Sequence, residues 1–204
     1  MSLVKYRNMK RTEEVYREIL YQAEKGNNVL TQSDISKKLD LSLSNVSNAI
    51  APLRRMGAIE VKKMCFHIIN TRKIVYHWAS VRNLKKDIVY STRVEKSVIE
   101  IEKSMPDSVI FTAYSGYKLK YKDMPADYSE IYVYSDDLLE IKRRFAESKN
   151  VPNIFVLKKD KNIDKYGKIA TNANIFVDLW NLSEWYAQEF LKAMEQKWNI
   201  GTRQ

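Results

Sequence analysis

Apolar residues recur at helical spacing twice within residues 31–57, on either side of a break at Asp40 and Leu41. In the first segment Ile35 and Leu39 lie four positions apart, which places them on one face of a helix. We therefore expect two short helices around a tight turn, each with one face against a core. The apolar stripe of the second helix consists of Leu43, Val46, Ile50 and Leu53.

Residues that favour helix ends flank both segments. An N-cap is available to the first helix within residues 31–33 and to the second at Ser42. Gly57 suits the left-handed conformation that often follows a helix. Pro52 departs from the pattern because it lacks a backbone donor, so we expect it to bend the second helix or shift its end.

The side of the second helix opposite the stripe carries short polar side chains, which can approach base edges and phosphates without steric conflict. Arg54 and Arg55 follow at the helix end. This helix is therefore a candidate for the major groove of DNA. The short polar residues are Ser44, Asn45, Ser47 and Asn48.

Two alternating segments follow, residues 59–63 and 73–79, and they predict a β-hairpin beside the helices. The order helix, helix, helix, hairpin over residues 8–80 resembles a winged helix-turn-helix domain of the bacterial and archaeal regulator type. The resemblance implies that the domain binds double-stranded DNA, although a winged helix used only for protein contacts is the alternative. The predicted DNA-binding residues are Ser42, Ser44, Asn45, Ser47, Asn48, Arg54, Arg55, Lys62, Lys63, Arg72 and Lys73.

The positive charge is concentrated in the half of the chain that carries these segments. Residues 1–90 contain 17 Lys and Arg against 8 Asp and Glu, a balance of +9, whereas residues 91–204 contain 18 against 17, a balance of +1. A solvated basic surface is common, but it would not by itself place the excess in one half. A polyanionic partner explains the asymmetry, because binding to phosphates releases counterions.

Several classes of site and location are disfavoured by composition. Cys65 is the only cysteine and His67 and His77 are the only histidines, which argues against a disulfide or a Cys/His zinc site. No N-terminal signal pattern is present, and no apolar run reaches the roughly 18 residues that span a bilayer. We expect a soluble, cytoplasmic protein with no membrane partner, metal or cofactor.

The second half alternates predicted strands and helices, which indicates a mixed α/β module. The predicted fold class is α+β, with a winged helix-turn-helix domain over residues 1–82 and the α/β domain over residues 83–204. The predicted helices cover residues 91–103, with Ser91 or Thr92 as the cap, and residues 136–147 and 183–198. The predicted strands cover residues 108–114, 129–135, 153–159 and 174–180.

One motif in this module resembles the nucleotidyltransferase superfamily. Ser115-Gly116 follows a predicted strand, and Glu130 and Tyr132 alternate on the next. The resemblance places the nucleotide phosphates at the turn, Glu130 and Tyr132 at the two metal-ligand positions, and Asp178 as the candidate third carboxylate. A phenol cannot replace a bridging carboxylate on magnesium. We therefore interpret these as degenerate nucleotide-site positions in a fold without catalysis, and we expect no enzyme.

Each of these residues also has an ordinary structural explanation. Glu130 is more often an exposed position of an alternating strand, and Asp178 could pair with a neighbouring lysine. A tyrosine cluster could stack on bases, but packing is the commoner use. The cluster consists of Tyr114, Tyr117, Tyr121, Tyr128, Tyr132 and Tyr134.

Together the two halves, ending in IFVDLWNLSEWYAQEFL, resemble the antitoxin-type regulators of abortive-infection systems. The resemblance implies an N-terminal domain on operator DNA and a C-terminal domain that supports regulation, partner binding or antitoxicity. The leading hypothesis is a transcriptional regulator that binds DNA as a homodimer. The alternatives are an antitoxin with a toxin as partner, and a divergent active nucleotidyltransferase.

Overall fold

The computed structural model describes the backbone of residues 3–198 and the side chains of residues 10–198. These residues divide into two units, residues 3–81 and residues 82–198. The outer ends of the two predicted domains, residues 1–2 and 199–204, lie outside the described residues.

The first unit combines four helices with a three-stranded antiparallel sheet. The sheet has the strand order β1-β3-β2, so that β2 and β3 form a hairpin. Helix α1 packs against α2, α3 and α4. The elements are α1 Leu3–Glu24, β1 Val29–Leu30, α2 Gln32–Leu39, α3 Leu43–Arg55, β2 Ile59–Val61, β3 Phe66–Ile68 and α4 Thr71–Val81.

The predicted caps of α2 and α3 are confirmed. The Thr31 hydroxyl accepts a hydrogen bond from the Asp34 amide at 3.0 Å, and the Ser42 hydroxyl accepts one from the Asn45 amide at 3.2 Å. Each bond satisfies one of the amides that a helix leaves unpaired at its N-terminus. The two caps therefore fix where each helix of the turn begins.

The C-terminus of α3 closes at Gly57, as predicted. Gly57 has a φ of 66°, and the Ala58 amide donates to the Leu53 carbonyl at 2.9 Å. This pairing across a left-handed residue is a Schellman motif. Pro52 lies inside the helix, which continues to Arg55, so the end of α3 does not shift at the proline.

The apolar stripe of α3 is only partly as predicted. Val46, Ile50 and Leu53 are buried together with Ala49, and they form the face that packs toward the core. Leu43 was expected in the same stripe, but it is the first helical residue and is 55% exposed. The buried face therefore begins one turn later than the spacing suggested.

The second strand of the predicted hairpin was placed wrongly. It is β3, and residues 73–79 belong to helix α4. Ile74 and Trp78 are buried four positions apart, which is a helical spacing, and the Asn70 side chain accepts a hydrogen bond from the Lys73 amide at 2.9 Å. A short apolar run does not by itself distinguish a strand from a helix, which explains the error.

The second unit has a four-stranded mixed sheet with the order β4-β7-β6-β5. Strands β6 and β7 are parallel, and the two outer pairs are antiparallel. Two short 3-10 helices cover Leu84–Asp87 and Ile163–Tyr166. The other elements are β4 Ile88–Thr92, α5 Val98–Ser104, β5 Ile110–Thr112, α6 Ala113–Tyr121, β6 Ile131–Ser135, α7 Leu138–Arg144, β7 Ile154–Lys158, α8 Asn172–Trp180 and α9 Ala187–Lys197.

Helices cover both faces of this sheet, and every residue of β6 is buried. On one face Val133 joins a core that includes Ile101 of α5 and Ile141 of α7. On the other face Tyr132 contacts a ring of α6, and the Tyr134 hydroxyl contacts a carboxylate of α8. The predicted strands 129–135 and 153–159 are therefore confirmed with shorter bounds, as is the final helix.

Three expectations for the second unit are wrong. Residues 174–180 form helix α8 rather than a strand, and β4 occupies a stretch where no strand was expected. The helix predicted over residues 91–103 begins only at Val98, so neither Ser91 nor Thr92 caps it. Ser97 caps it instead, in a reciprocal capping box with Glu100.

Within residues 3–198, no helix is long and apolar enough to cross a membrane.

Candidate nucleic-acid interface

One side of α3 presents polar and basic side chains to solvent. The chain has no acidic residue between Asp40 and Glu60, so no carboxylate of α3 lies beside them. Among the described residues, none of these side chains has a hydrogen bond or ion pair with the rest of the protein. We call this surface the α3 edge, and it consists of the exposed Ser44, Ser47, Asn48, Arg54 and Arg55.

The beginning of α3 is less open than the sequence suggested. Ser42 uses its hydroxyl to cap the helix, and Asn45 is only half-exposed. The first amides of a helix carry a partial positive charge that favours an anion such as phosphate. The Ser42 hydroxyl and the Asn45 amide therefore fix this helix terminus, whereas Ser47 and Asn48 lie farther along the helix.

The turn between β2 and β3 forms the wing. It is closed by a hydrogen bond of 2.8 Å from the Lys62 amide to the Cys65 carbonyl, which leaves Lys63 and Met64 at the tip. Lys62 is ion-paired with Glu60, but Lys63 has no ion pair among the described residues. Lys63 is therefore the cation of this turn that is available to a phosphate.

Arg72 and Lys73 lie on α4 and not on the wing. The Lys73 ammonium donates a hydrogen bond of 2.9 Å to the Met56 carbonyl, where it complements the negative end of the α3 dipole. The Arg72 guanidinium lies 5.4 Å from the centre of the Tyr76 ring. Lys73 thus supports the end of α3, and its assignment to the backbone of DNA stays a prediction.

His77 of α4 adds no positive charge near this helix end. Burial, and secondarily the positive charge of Arg55, lowers the pKa of His77 below its usual value. An imidazole with a lowered pKa is neutral at pH 7. The basic character of the surface therefore comes from its arginine and lysine side chains.

The expected phosphate turn of the second unit is not where the motif suggested. Ser115 and Gly116 are buried inside α6, and the strand-to-helix turn lies at Ala113, which has a φ of 48°. A Cβ at Gly116 would lie 3.1 Å from the Phe111 carbonyl oxygen and 3.2 Å from a side-chain carbon of Ile175. Gly116 thus allows α6 to pack closely on its neighbours.

The two strand positions of the motif face a phenol cluster. Tyr132 is buried and its ring stacks on Phe155, with 4.7 Å between ring centres and an interplanar angle of 8°. Burial raises the pKa of the Tyr132 hydroxyl above its usual value, so the group stays protonated. Glu130 is half-exposed and accepts a hydrogen bond from the Tyr186 hydroxyl.

The third position of the motif, Asp178, differs from the expectation both in the element that carries it and in its surroundings. Asp178 lies on helix α8, and it is fully buried in what we call the Asp178 network. Its carboxylate accepts hydrogen bonds from Arg82 Nε at 2.7 Å, from Thr112 Oγ1 at 2.6 Å and from Tyr134 Oη at 2.7 Å. Burial raises the pKa of Tyr134 well above its usual value, which keeps this donor protonated.

The residues of the motif therefore do not come together as a metal site. Across the described part of the chain, no group of three or more His, Cys, Asp or Glu side chains is arranged to hold a metal ion. The network also contains Arg82, which the sequence did not single out. A lone arginine between Val81 and Asn83 carries no pattern that would reveal a burial partner 96 positions away.

The first unit is the part of the chain for which a comparison with known proteins succeeds. Residues 17–60 match the family model for winged helix-turn-helix DNA-binding domains, which covers the span from within α1 to within β2. No match to the chain was found among curated proteins or among solved structures. The chain is thus an α+β protein whose N-terminal part contains a helix-turn-helix domain of the DNA-binding class.

Proposed function

We propose that this protein is a transcriptional regulator that binds operator DNA through its first unit. The observation that carries the proposal is the α3 edge, where exposed hydroxyl, amide and guanidinium groups have no partner within the described residues. Exposed polar side chains that the fold does not use stay available to a partner, and a row of such donors and acceptors on a helix beside a wing is the arrangement that suits nucleic acid.

In the proposed complex, α3 enters the major groove. Ser44, Ser47 and Asn48 face base edges, because amide and hydroxyl groups can donate and accept there. Arg54, Arg55 and Lys63 contact phosphates, which position the protein without reading sequence. A homodimer on a pseudo-palindromic site is part of this proposal, since regulators of this kind commonly match a two-fold protein to a two-fold operator.

For the second unit, we propose a nucleotidyltransferase-like module without catalysis that serves regulation, dimerisation or partner binding. The order β5, α6, β6, with Glu130 directly before β6 and Tyr132 within it, supports the likeness. The protonated Tyr132 and the buried, ion-paired Asp178 argue against metal-dependent transfer. The antitoxin alternative keeps the same DNA-binding step and adds a toxin as the partner of this unit.

The test is fluorescence anisotropy of the full chain with a duplex taken from upstream of its own gene, at several salt concentrations. We expect affinity to fall steeply with salt and Asn48→Glu to weaken binding roughly a hundred-fold, because it sets a carboxylate against phosphates and bases. The matched control is Asn28→Glu, the same change at an exposed position before β1. Equal effects of the two variants would refute the assigned interface.

Catalysis is tested separately with labelled nucleoside triphosphates and magnesium. We expect no transfer to protein, DNA or RNA. Transfer that disappears in Glu130→Ala would instead establish the divergent enzyme and overturn the proposed role of the second unit.

A further inference from the structure

Leu43 is a large apolar side chain that the fold leaves in solvent beside the α3 edge. It is the first residue of α3 and is 55% exposed, whereas Val46 and Ile50 of the same helix are buried. Residues four positions apart are neighbours on a helix surface, so Leu43 lies next to the exposed Ser47. The Ser42 hydroxyl caps the helix, and Leu43 has no part in that bond. The leucine is therefore available to whatever ligand meets the beginning of α3.

The part of α3 before Arg54 carries no charged side chain. No residue from Leu41 to Leu53 is Lys, Arg, Asp or Glu, although charged residues make up 29% of the chain. Side chains of this kind can contact bases, but they cannot form ion pairs with phosphates. The exposed groups here are one aliphatic side chain, two hydroxyls and one amide, from Leu43, Ser44, Ser47 and Asn48.

This set of side chains discriminates among the four bases. In the major groove, guanine is contacted most often by Arg or Lys, which donate to its N7 and O6 atoms, and the amino group of cytosine donates to Asp or Glu. Neither kind of residue is present on α3 before Arg54. An asparagine amide can pair with the N6 and N7 atoms of adenine, and an apolar side chain can pack on the 5-methyl group of thymine. Asn48 and Leu43 supply these two groups.

We propose that α3 recognises A·T base pairs, with Leu43 packed on the methyl group of a thymine and Asn48 paired with an adenine. The two residues are five positions apart, about 7.5 Å along the helix axis, so their contacts fall on different base pairs. In helix-turn-helix complexes the N-terminal residues of the recognition helix contact base edges, which is where Leu43 lies. This role deepens the proposed DNA binding, on which it rests.

The thymine contact is tested by removing the methyl group from the DNA. The full chain first selects duplexes from a randomised pool, and the enriched duplex is then synthesised with thymine or with deoxyuridine. By fluorescence anisotropy, we expect the parent chain to bind the deoxyuridine duplex roughly 4-fold more weakly, the factor expected for the loss of one buried methyl group. Leu43→Ala should bind both duplexes nearly equally, because the shorter side chain does not reach the methyl group.

The matched control is Val29→Ala, which truncates an aliphatic side chain of β1 that is 54% exposed. It should distinguish thymine from deoxyuridine as the parent chain does. Loss of that distinction in Val29→Ala as well as in Leu43→Ala would show that the effect does not come from α3.

The adenine contact is tested with 7-deazaadenine, which lacks the N7 acceptor. We expect the parent chain to bind the substituted duplex roughly 5-fold or more weakly, as for the loss of one base-edge hydrogen bond. Asn48→Ala should bind the two duplexes equally, although it binds both less tightly than the parent chain does.

Failure of this assignment can be distinguished from failure of the proposed function. No saturable binding of any duplex would overturn the DNA-binding function and the base assignment with it. Saturable binding with an enriched sequence of G·C pairs alone would leave DNA binding intact and overturn the assignment. Equal responses of the parent chain and Leu43→Ala to deoxyuridine would do the same.

Discussion

The α3 edge and the Asp178 network use polar side chains in opposite ways. On the edge, Ser47, Asn48 and Arg54 are exposed and make no hydrogen bond or ion pair with other described residues. In the network, Asp178 is fully buried, and three donors share its two oxygen atoms. The sequence makes both Asp178 and the residues of the α3 edge functional candidates, but only the residues of the edge retain hydrogen-bonding capacity for a partner.

The difference separates residues that build the fold from residues that remain available to a ligand. A buried carboxylate is tolerated only when it is paired, so the Asp178 network is a requirement of its own unit. An exposed asparagine or serine makes little difference to stability, so its open side is free to be used in binding. Hydrogen-bond partners thus distinguish the two cases better than residue type does.

The largest effect on stability is expected in the buried Asp178 network. Asp178→Ala should destabilise the second unit by about 3–5 kcal/mol, because it leaves the buried Arg82 guanidinium short of a partner. Urea denaturation followed by near-ultraviolet circular dichroism measures the change. Glu140→Ala, which removes an exposed ion pair, should leave the urea midpoint almost unchanged. Equal effects of the two variants would show that the Asp178 network stabilises the second unit no more than an exposed ion pair does.

The next effect concerns the glycine once expected in a phosphate turn. Gly116→Ala should destabilise the second unit by about 1–3 kcal/mol, because the new methyl group would press on the Phe111 carbonyl and on Ile175. The same denaturation experiment measures the change in the free energy of unfolding. An undisturbed transition in Gly116→Ala would remove the packing explanation for this residue.

Within the first unit, two adjacent lysines repeat the comparison on a smaller scale. The logarithm of the DNA-binding constant falls linearly with the logarithm of the salt concentration. Lys63→Ala should make this slope shallower by about one, as expected for the loss of one phosphate contact. Lys62→Ala should change it less, since Lys62 is already paired with Glu60. The slopes come from anisotropy titrations at several salt concentrations. A larger loss at Lys62 than at Lys63 would contradict the distinction between open and engaged cations.

The smallest effect is expected at the strand-to-helix turn of the second unit. Ala113 adopts a φ of 48°, where an L-residue with a Cβ is strained by about 1–2 kcal/mol. Ala113→Gly should therefore stabilise the second unit by about 1 kcal/mol, part of the relief being offset by the extra entropy of glycine when unfolded. Thermal denaturation measures the sign, and a lower melting temperature would show that the methyl group packs too well to lose.

Local patterns in the sequence were sufficient for the helix-turn-helix. Ser42 and Gly57 mark the ends of α3 by cap chemistry that acts within a few residues, and the buried stripe follows from helical spacing. The cap of α5 is also encoded locally, because Ser97 and Glu100 have the spacing of a capping box, whereas Ser91 and Thr92 belong to β4. Where a structural element depends on contacts between residues close together in the chain, the sequence is sufficient to predict it.

The errors arise where the determinant is distant in sequence. The apolar runs at 73–79 and 174–180 are compatible with a buried strand or a buried helix, and only their surroundings decide. Asp178 becomes structural through Arg82 and Thr112, and Lys73 becomes a helix-end partner through Met56. No spacing rule along the chain predicts these contacts.

The central claim is that the α3 edge contacts duplex DNA, and two asparagines allow a direct measurement. The side chain of Asn48 is open, whereas that of Asn153 is held by Val94 through hydrogen bonds of 2.9 and 3.0 Å. In an NMR titration with duplex DNA, we predict that the Asn48 side-chain amide signals shift and that those of Asn153 stay in place. An unmoved Asn48 amide at saturating DNA would contradict the claim.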